Sequence, residues 1–455
     1  MDIRVDETGS RGSIQSFYAP QDAPRRPVID RAEGIWMWDT DGRRYLDATS
    51  GPVTTNIGHG NPRVIAAMEA QARKVCFASR ALFENAPNIR LAQKVSALAG
   101  PGFEHVFVTS GGSEATEAAI KLARQYAVAK GETGRWKVLG RDPGYHGATL
   151  GAAAVTGDPV TDAVFGPVMA PMPRVPTPFT YRVPPNHDAE SHARACADAL
   201  DAAIRGAGPD TVLAFIMEPV GGLATGALVA PDSYYSAVRE ICTRHGVLLV
   251  FDEVMSGAGR TGTFLAADHW PDARPDLVTL AKGIAAGYTP LGMVLAPAEM
   301  VDAVVASGGF LHGHTYSANP LSCAVGEAVL DEVIDRDLMG NAARMGAVLR
   351  EKLTALMEAS PVVGDVRGIG LLQAVEIVAD KATKAAFPPE ANAIARLVAL
   401  GMERGLLLYS RSTAGGRYGE WLMVTPPLTI TPEEMDEMIR RLSDTIDAFA
   451  AETMA

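Results

Sequence analysis

Cysteine is scarce: four in 455 residues. Cys76, Cys196, Cys242 and Cys323 stand far apart, with no Cys-x-x-Cys pair and no histidine at ligand spacing. That speaks against both a disulfide framework and a metal site, and leaves buried free thiols as the expectation. Positive charge is also short, with 41 Lys and Arg against 53 Asp and Glu and a net charge of −12. Such a balance argues against nucleic acid or an anionic membrane as the main partner, though not against a local phosphate site. No apolar run approaches the ~18 residues of a membrane span. The opening MDIRVDETGSRGSIQ has no basic stretch followed by an apolar one, so no secretory signal is expected. A soluble, cytoplasmic protein is the expectation.

What is present is an ordinary globular balance, 47% hydrophobic and 21% charged, in a chain long enough for more than one domain. A polar arm of about 30 residues comes first. Residues 34–46 then read as a β-hairpin turning at Asp41-Gly42. From Pro62 onward, strands and helices alternate. Strands are expected at His105–Thr109, Lys137–Leu139, Val212–Met217 and Val247–Phe251. Helices are expected over Ser113–Lys130 (with Ser113 as N-cap), His192–Arg205 and Ser233–His245. The seven prolines between Pro167 and Pro185 predict an irregular surface loop.

Several of these strands are apolar throughout, the mark of an α/β fold with a mostly parallel sheet covered by helices on both faces. After Pro320 the pattern shifts to long amphipathic helices, near 321–334, 342–358, 391–404 and 432–449, with short strands near 371–377, 406–409 and 421–424. The expected division is 1–60 as an arm with a segment of the small domain, 61–320 as the large domain, and 321–455 as a smaller α+β domain.

Chemistry concentrates at strand ends, where such sheets bind ligands. Lys282 follows the apolar run Leu277-Val-Thr-Leu280, and Asp252 ends another. A lysine and a carboxylate at buried strand ends are costly without partners. Pyridoxal phosphate supplies both partners: an aldehyde that a lysine amine can trap as a Schiff base, and a ring nitrogen that an aspartate can hold protonated. Ser110-Gly111-Gly112-Ser113 joins a strand to a helix start, where glycines and unpaired N–H groups can receive an anion. Tyr145, in Gly144-Tyr-His-Gly147, could stack on a planar ring. Each feature has a bland reading, as a helix cap, a core aromatic, a surface lysine, or an aspartate paired with Arg260. Their order along the chain favours the cofactor.

The segments Thr109-Ser-Gly-Gly-Ser-Glu-Ala115, Tyr145-His146, Glu218-Pro-Val220, Asp252-Glu-Val254, Gly259-Arg-Thr-Gly262, Ala281-Lys-Gly283 and His314-Thr-Tyr-Ser-Ala-Asn-Pro320 resemble the class III aminotransferases, fold-type I pyridoxal phosphate enzymes. The resemblance runs from about Trp36 to Leu442. It implies that Lys282 binds the cofactor aldehyde and shuttles the proton, and that Asp252 holds the ring nitrogen's proton. Val254 and Tyr145 would lie on opposite ring faces. Gly111, Gly112 and Ser113 would hold the phosphate, with His146 and Glu218 completing the shell. Thr315 would reach the phosphate of a neighbouring subunit, which implies a homodimer or higher assembly with shared sites. The family usually carries Asn-Ser-Gly-Ser where this chain has Ser110-Gly-Gly-Ser113, so Gly111 can contact phosphate only through its backbone.

The resemblance also bears on substrates. Relatives that use 4-aminobutyrate usually place a second acid where this chain has Leu223, which points here to less polar amines. Val53 occupies a position that often holds an aromatic, so a roomier pocket is expected. Carboxylate binding resembles that of ω-transaminases, with a mobile arginine ahead of Pro426-Pro-Leu428. Arg417, beside two glycines, is preferred over Arg411. The implied reaction moves an amino group from an amine or ω-amino acid to a 2-oxo acid, with pyruvate favoured. Alternatives are a glutamate-semialdehyde-type aminomutase, a 4-aminobutyrate:2-oxoglutarate transaminase, and a non-catalytic cofactor-binding protein.

Overall fold

The computed structural model describes residues 26–410 and 416–453, together with position 17. Three sheets organise them. The largest has seven strands, in the order His105–Thr109, Gly292–Ala296, Leu277–Leu280, Leu248–Asp252, Val212–Met217, Lys137–Asp142 and Arg174–Pro176. Gly292–Ala296 runs antiparallel to both its neighbours, and the other pairings are parallel. The strand His105–Thr109 therefore points the same way as Leu277–Leu280, and six strands end at one edge.

Burial explains why these segments are strands. All residues of Val212–Met217, Leu277–Leu280 and Gly292–Ala296 are buried. Continuous apolar runs of that kind require cover on both faces. Phe215 and Met217 pack into the larger core cluster. Ala214 and Ile216 pack into a second cluster, with Ala115, Ala119 and Leu122 of the Gly112–Ala129 helix.

Two expectations are corrected here. The helix starts at Gly112 with Gly111 as its N-cap, so Ser113 lies inside the first turn. Its hydroxyl oxygen instead accepts the Ala148 N–H at 3.0 Å. The proline-rich stretch is not wholly irregular, because Arg174–Pro176 adds the seventh strand and buries Val175. Proline fits there because an edge strand can lack a donor. Among the cysteines, Cys196, Cys242 and Cys323 are buried thiols, whereas Cys76 is exposed. No helix among the described residues is long and apolar enough to cross a membrane.

The hairpin forms as expected, with Trp36–Asp39 antiparallel to Arg44–Asp47. Ile29–Glu33 adds on one side, and on the other Leu406–Leu407 pairs in parallel through Leu46 and Leu406. The third sheet is antiparallel: Val363–Ile369, Leu372–Ile377 and Glu420–Val424. Its first strand had no clear signal in the sequence. The flanking helices are Pro320–Asp335, Leu338–Ala359, Ala393–Glu403 and Pro432–Thr453.

Arg260 joins the three sheets. It is fully buried. Its guanidinium donates to the carbonyls of Leu371, Thr425 and Pro426, to Ser50 Oγ at 3.1 Å, and to Asn56 Oδ1. It makes none of the ion pairs found among the described residues, and Asp252 is not its partner. Burial pushes its pKa down to about 9, which leaves it charged at neutral pH. Neutral dipoles must therefore offset the cost of desolvation. An Arg260→Lys chain should melt several degrees below wild type, because one ammonium cannot reach five oxygens fixed by a planar fork, and a buried acceptor left without its donor costs about 1–3 kcal/mol. Thermal unfolding followed by circular dichroism checks this.

Candidate active site

The shared strand edge opens into a cavity of ≈ 1080 Å³. Its lining includes Ser110, Gly111, Gly112, Ser113, Tyr145, His146, Glu218, Leu223, Asp252, Val254 and Lys282. Residues far apart in sequence meet here because each follows or ends a strand pointing the same way.

Lys282 begins the short 3-10 turn after Leu277–Leu280, with φ of 48°. A left-handed conformation is costly for a side chain with a Cβ and persists only where the surroundings impose it. Asn56 packs directly against the next residue. A Cβ on Gly283 would lie 2.1 Å from Asn56 Nδ2, so only glycine fits after the lysine. Asn56 is itself gripped by Arg260 and donates to the Ala258 carbonyl at 3.4 Å. Burial pushes the Lys282 amine down to about 8, against the opposing pull of Asp252 and Glu218.

Asp252 is held from two sides. Its Oδ2 lies 2.8 Å from His146 Nδ1, and its Oδ1 accepts the Val254 N–H at 3.1 Å. With the carboxylate ionised, the imidazole donates from Nδ1. Glu218 is buried and already engaged by backbone, accepting the Gly222 N–H at 2.7 Å and the Tyr145 N–H at 3.3 Å. Burial raises its pKa, with His146 opposing and Asp252 reinforcing the rise. Its carboxylate shapes the Tyr145 turn and the turn that carries Leu223.

An anion cradle lies at the other end of the cavity. Gly111 and Gly112 begin the 18-residue helix, and no side chain caps its first N–H groups. A Cβ on Gly112 would approach Val254 Cγ1 to 2.9 Å, and one on Gly147 would approach Ser113 Oγ to 2.7 Å. Glycine at both places leaves room for the cavity. The Ser113 oxygen accepts from Ala148, which frees its hydrogen to donate. A carboxylate, a lysine with a lowered pKa and an uncapped helix start with a free hydroxyl match the ring nitrogen, aldehyde and phosphate of pyridoxal phosphate. The residues present fit that group.

Other expected residues lie elsewhere. Val53 is 1% exposed and packs into the core, so it does not widen the cavity; its neighbours Pro52 and Thr54 form that wall. The chain twists there, with φ of 52° at Ser50 and 58° at Val53, which turns the Val53 side chain inward. Thr315 is exposed and outside this cavity. Arg417 is exposed, with its guanidinium 5.4 Å from the Tyr418 ring centroid, and it too lies outside the lining. Arg411 falls outside the described residues. Leu223 does line the cavity, and its carbonyl accepts from Trp421 Nε1 at 2.9 Å. Sequence reading missed Met255, Thr289, Pro290, Leu291 and Tyr409 as lining residues, and Asn56 as a support. Met255 was within reach, one residue past Asp252-Glu-Val254. Nothing local in sequence connects Asn56 to Gly283.

Comparison with known proteins follows the same lines. The family model described as aminotransferase class-III matches residues 17–446. The chain is 37% identical over 432 residues to the uncharacterized aminotransferase YodT of Bacillus subtilis, covering 94% of this chain and 97% of that one. A thermostable (S)-enantioselective omega-transaminase from Thermomicrobium roseum is similar in structure, with a TM-score of 0.88 at 37% identity, covering 95% of this chain and 94% of that one. An omega-transaminase from Pseudomonas jessenii in complex with PMP is also similar, with a TM-score of 0.89 at 29% identity and 94% of each chain covered.

Two outcomes are expected of the lysine. Because burial lowers its pKa to about 8, the neutral amine predominates above that pH. Capture of pyridoxal phosphate by cofactor-free protein should accelerate about tenfold per pH unit below the inflection and level off above it, rather than near 10.5 as for a solvated lysine. Stopped-flow absorbance reads this directly. Lys282→Ala should bind the cofactor without a covalent bond, lose the visible band of the lysine adduct, and show no measurable transamination.

Proposed function

The chain belongs to the class III aminotransferases, and from that premise we propose that it moves the amino group of an apolar amine or ω-amino acid to a 2-oxo acid, with pyruvate as the preferred acceptor. Pyridoxal-phosphate-dependent transamination is the activity of the family. The observation that carries the narrower reading is the cavity wall. Pro52, Leu223, Ala224, Met255, Pro290 and Leu291 line it, and Lys282 is the one cationic side chain among the described lining residues. An apolar donor gains from burial against such a wall. The carboxylate of an ω-amino acid would be desolvated there without a counter-ion, so of the two donor classes the wall favours the amine.

When bound, the cofactor supplies an electrophilic carbon and a protonated ring that takes up the electron pair released at the substrate carbon. Lys282 Nζ, neutral above about pH 8, is the base that removes the substrate proton and returns it nearby. Asp252 holds the ring-nitrogen proton, and the His146 N–H fixes the carboxylate's orientation. Val254 and Tyr145, which both line the cavity, would pack on the ring. The N–H groups at Gly111–Ser113 and the Ser113 hydroxyl would hold the phosphate.

The acceptor carries a carboxylate, so a cation must reach the cavity for the second half of the cycle. Arg417 is our assignment. It lies on a Gly-rich segment whose end is tied to the pocket through Trp421 and Leu223. One swinging arginine suits the single carboxylate of pyruvate. Thr315, exposed beside Tyr316, is assigned to the partner's phosphate in a homodimer.

Single half-reactions test this reading. Apolar amines should convert the bound cofactor to its amine form, and pyruvate should restore it faster than 2-oxoglutarate does. Arg417→Ala should lower kcat/KM for the oxo acid about 10- to 100-fold, the loss of a hydrogen-bonded charge pair, while leaving the amine half within about twofold. Turnover of a single substrate without added oxo acid would replace this reading with an aminomutase.

A further inference from the structure

Tyr418 stands between the arginine segment and the cofactor site. Its hydroxyl donates to Asp142 Oδ1 at 3.2 Å. Its ring stacks on Phe179, with centroids 5.9 Å apart and planes 15° from parallel. The Arg417 guanidinium lies over the same ring, 5.4 Å from its centroid. Asp142 ends the strand Lys137–Asp142 and precedes the Pro143–Gly147 turn, which places Tyr145 and His146 in the cavity. Phe179 is buried and tied to the same unit: its N–H donates to the Thr177 carbonyl at 2.9 Å, the Thr177 hydroxyl donates to the Pro143 carbonyl at 2.6 Å, and the Thr177 N–H to the Asp142 carbonyl at 3.3 Å.

The chain beyond Tyr418 has no slack. Gly419 has φ of 113°, and a Cβ there would lie 2.5 Å from Glu376 Oε1 and 2.8 Å from Arg182 Nε. Those two groups pair with each other beneath it. Trp421 then binds the Leu223 carbonyl. On the other side of Arg417, Gly416 has φ of 82°, and a Cβ there would meet only Glu420, at 3.6 Å. The Gly419 N–H donates to the Gly416 carbonyl at 3.0 Å, which closes a turn around Arg417, and side-chain anchoring begins at Tyr418.

We propose that Tyr418 is a positioning residue for oxo-acid binding: clasped by Asp142 and Phe179, it is the pivot that keeps Arg417 within reach of the cavity mouth. This rests on the reading of Arg417 as the carboxylate-binding group. Without the clasp the arginine samples more conformations, and a smaller fraction of them can meet a carboxylate. The clasp acts on binding, so the proton transfers at Lys282 should not feel it.

Tyr418→Phe keeps the stack and removes only the hydroxyl. In single half-reactions of the holoenzyme it should raise the oxo-acid KM about three- to tenfold, the worth of one hydrogen bond, with kcat and the amine half-reaction unchanged. Asp142→Ala should reproduce that rise, and Asp142→Asn, which keeps an acceptor oxygen, should restore a near-wild-type KM. In an Arg417→Ala background Tyr418→Phe should change nothing further. An oxo-acid KM at the wild-type value in Tyr418→Phe, or equal losses in both half-reactions, overturns the proposal. If Arg417→Ala alone leaves oxo-acid binding intact, the assignment of Arg417 fails and the pivot falls with it, which separates the two failures.

Discussion

The guanidinium of Arg260, buried among oxygens that carry no formal charge, is the contact on which the rest of the molecule leans. Its acceptors come from the segment after the N-terminal hairpin, from the turn at Leu371 and from the end of the Glu420–Val424 strand. None of these can move without stranding a charge away from water. The same contact holds Asn56 against Gly283, the residue after Lys282. A packing requirement and a catalytic one meet in this single side chain.

The site works because burial acts differently on each group. It lowers the pKa of Lys282, which a base and nucleophile need, since its nearest charges are carboxylates that only partly restore the proton. The carboxylate of Asp252 is met by His146 and the Val254 N–H. Glu218 is buried as deeply but is consumed by backbone donors, so its role is architectural. In the proposed reaction, substrate choice would fall to the apolar wall around Leu223 and to the arginine segment whose Tyr418 bonds Asp142, just before the Tyr145–His146 turn. In that reading the cofactor and the carboxylate are served by different elements: strand ends for the first, the segment that carries Arg417 for the second.

Much of this was legible in sequence where the signal is local. The runs Val212–Met217 and Leu277–Leu280 announce buried strands by composition alone. Ser110-Gly111-Gly112-Ser113 announces a helix start beside an anion, although the cap proved to be Gly111. Lys282, Asp252 and the cradle stand out because their residue types are costly or conformationally special where they occur. The misses share a different cause. Val53 is buried in the core where the chain takes positive φ at Ser50 and Val53, and Arg174–Pro176 pairs as a strand along the sheet edge beside Lys137–Asp142. The strand Val363–Ile369 is partly exposed and mixed in polarity, so period and composition give it no mark.

By itself the sequence determined an α/β chain with a lysine, an aspartate and a glycine-rich helix start at strand ends, and hence the cofactor and the class of reaction. The fold class and the cofactor follow from hydrophobic period and residue chemistry, which act over a few positions; the class of reaction follows from the resemblance of its motifs to the class III aminotransferases. Only the tertiary structure decided that six strands end at one edge. It alone showed that Arg260 is answered by carbonyls instead of Asp252, that His146 steadies that aspartate, and that Tyr418 reaches Asp142. Each is a meeting of groups distant along the chain, decided by which surfaces bury one another, and no local pattern encodes it.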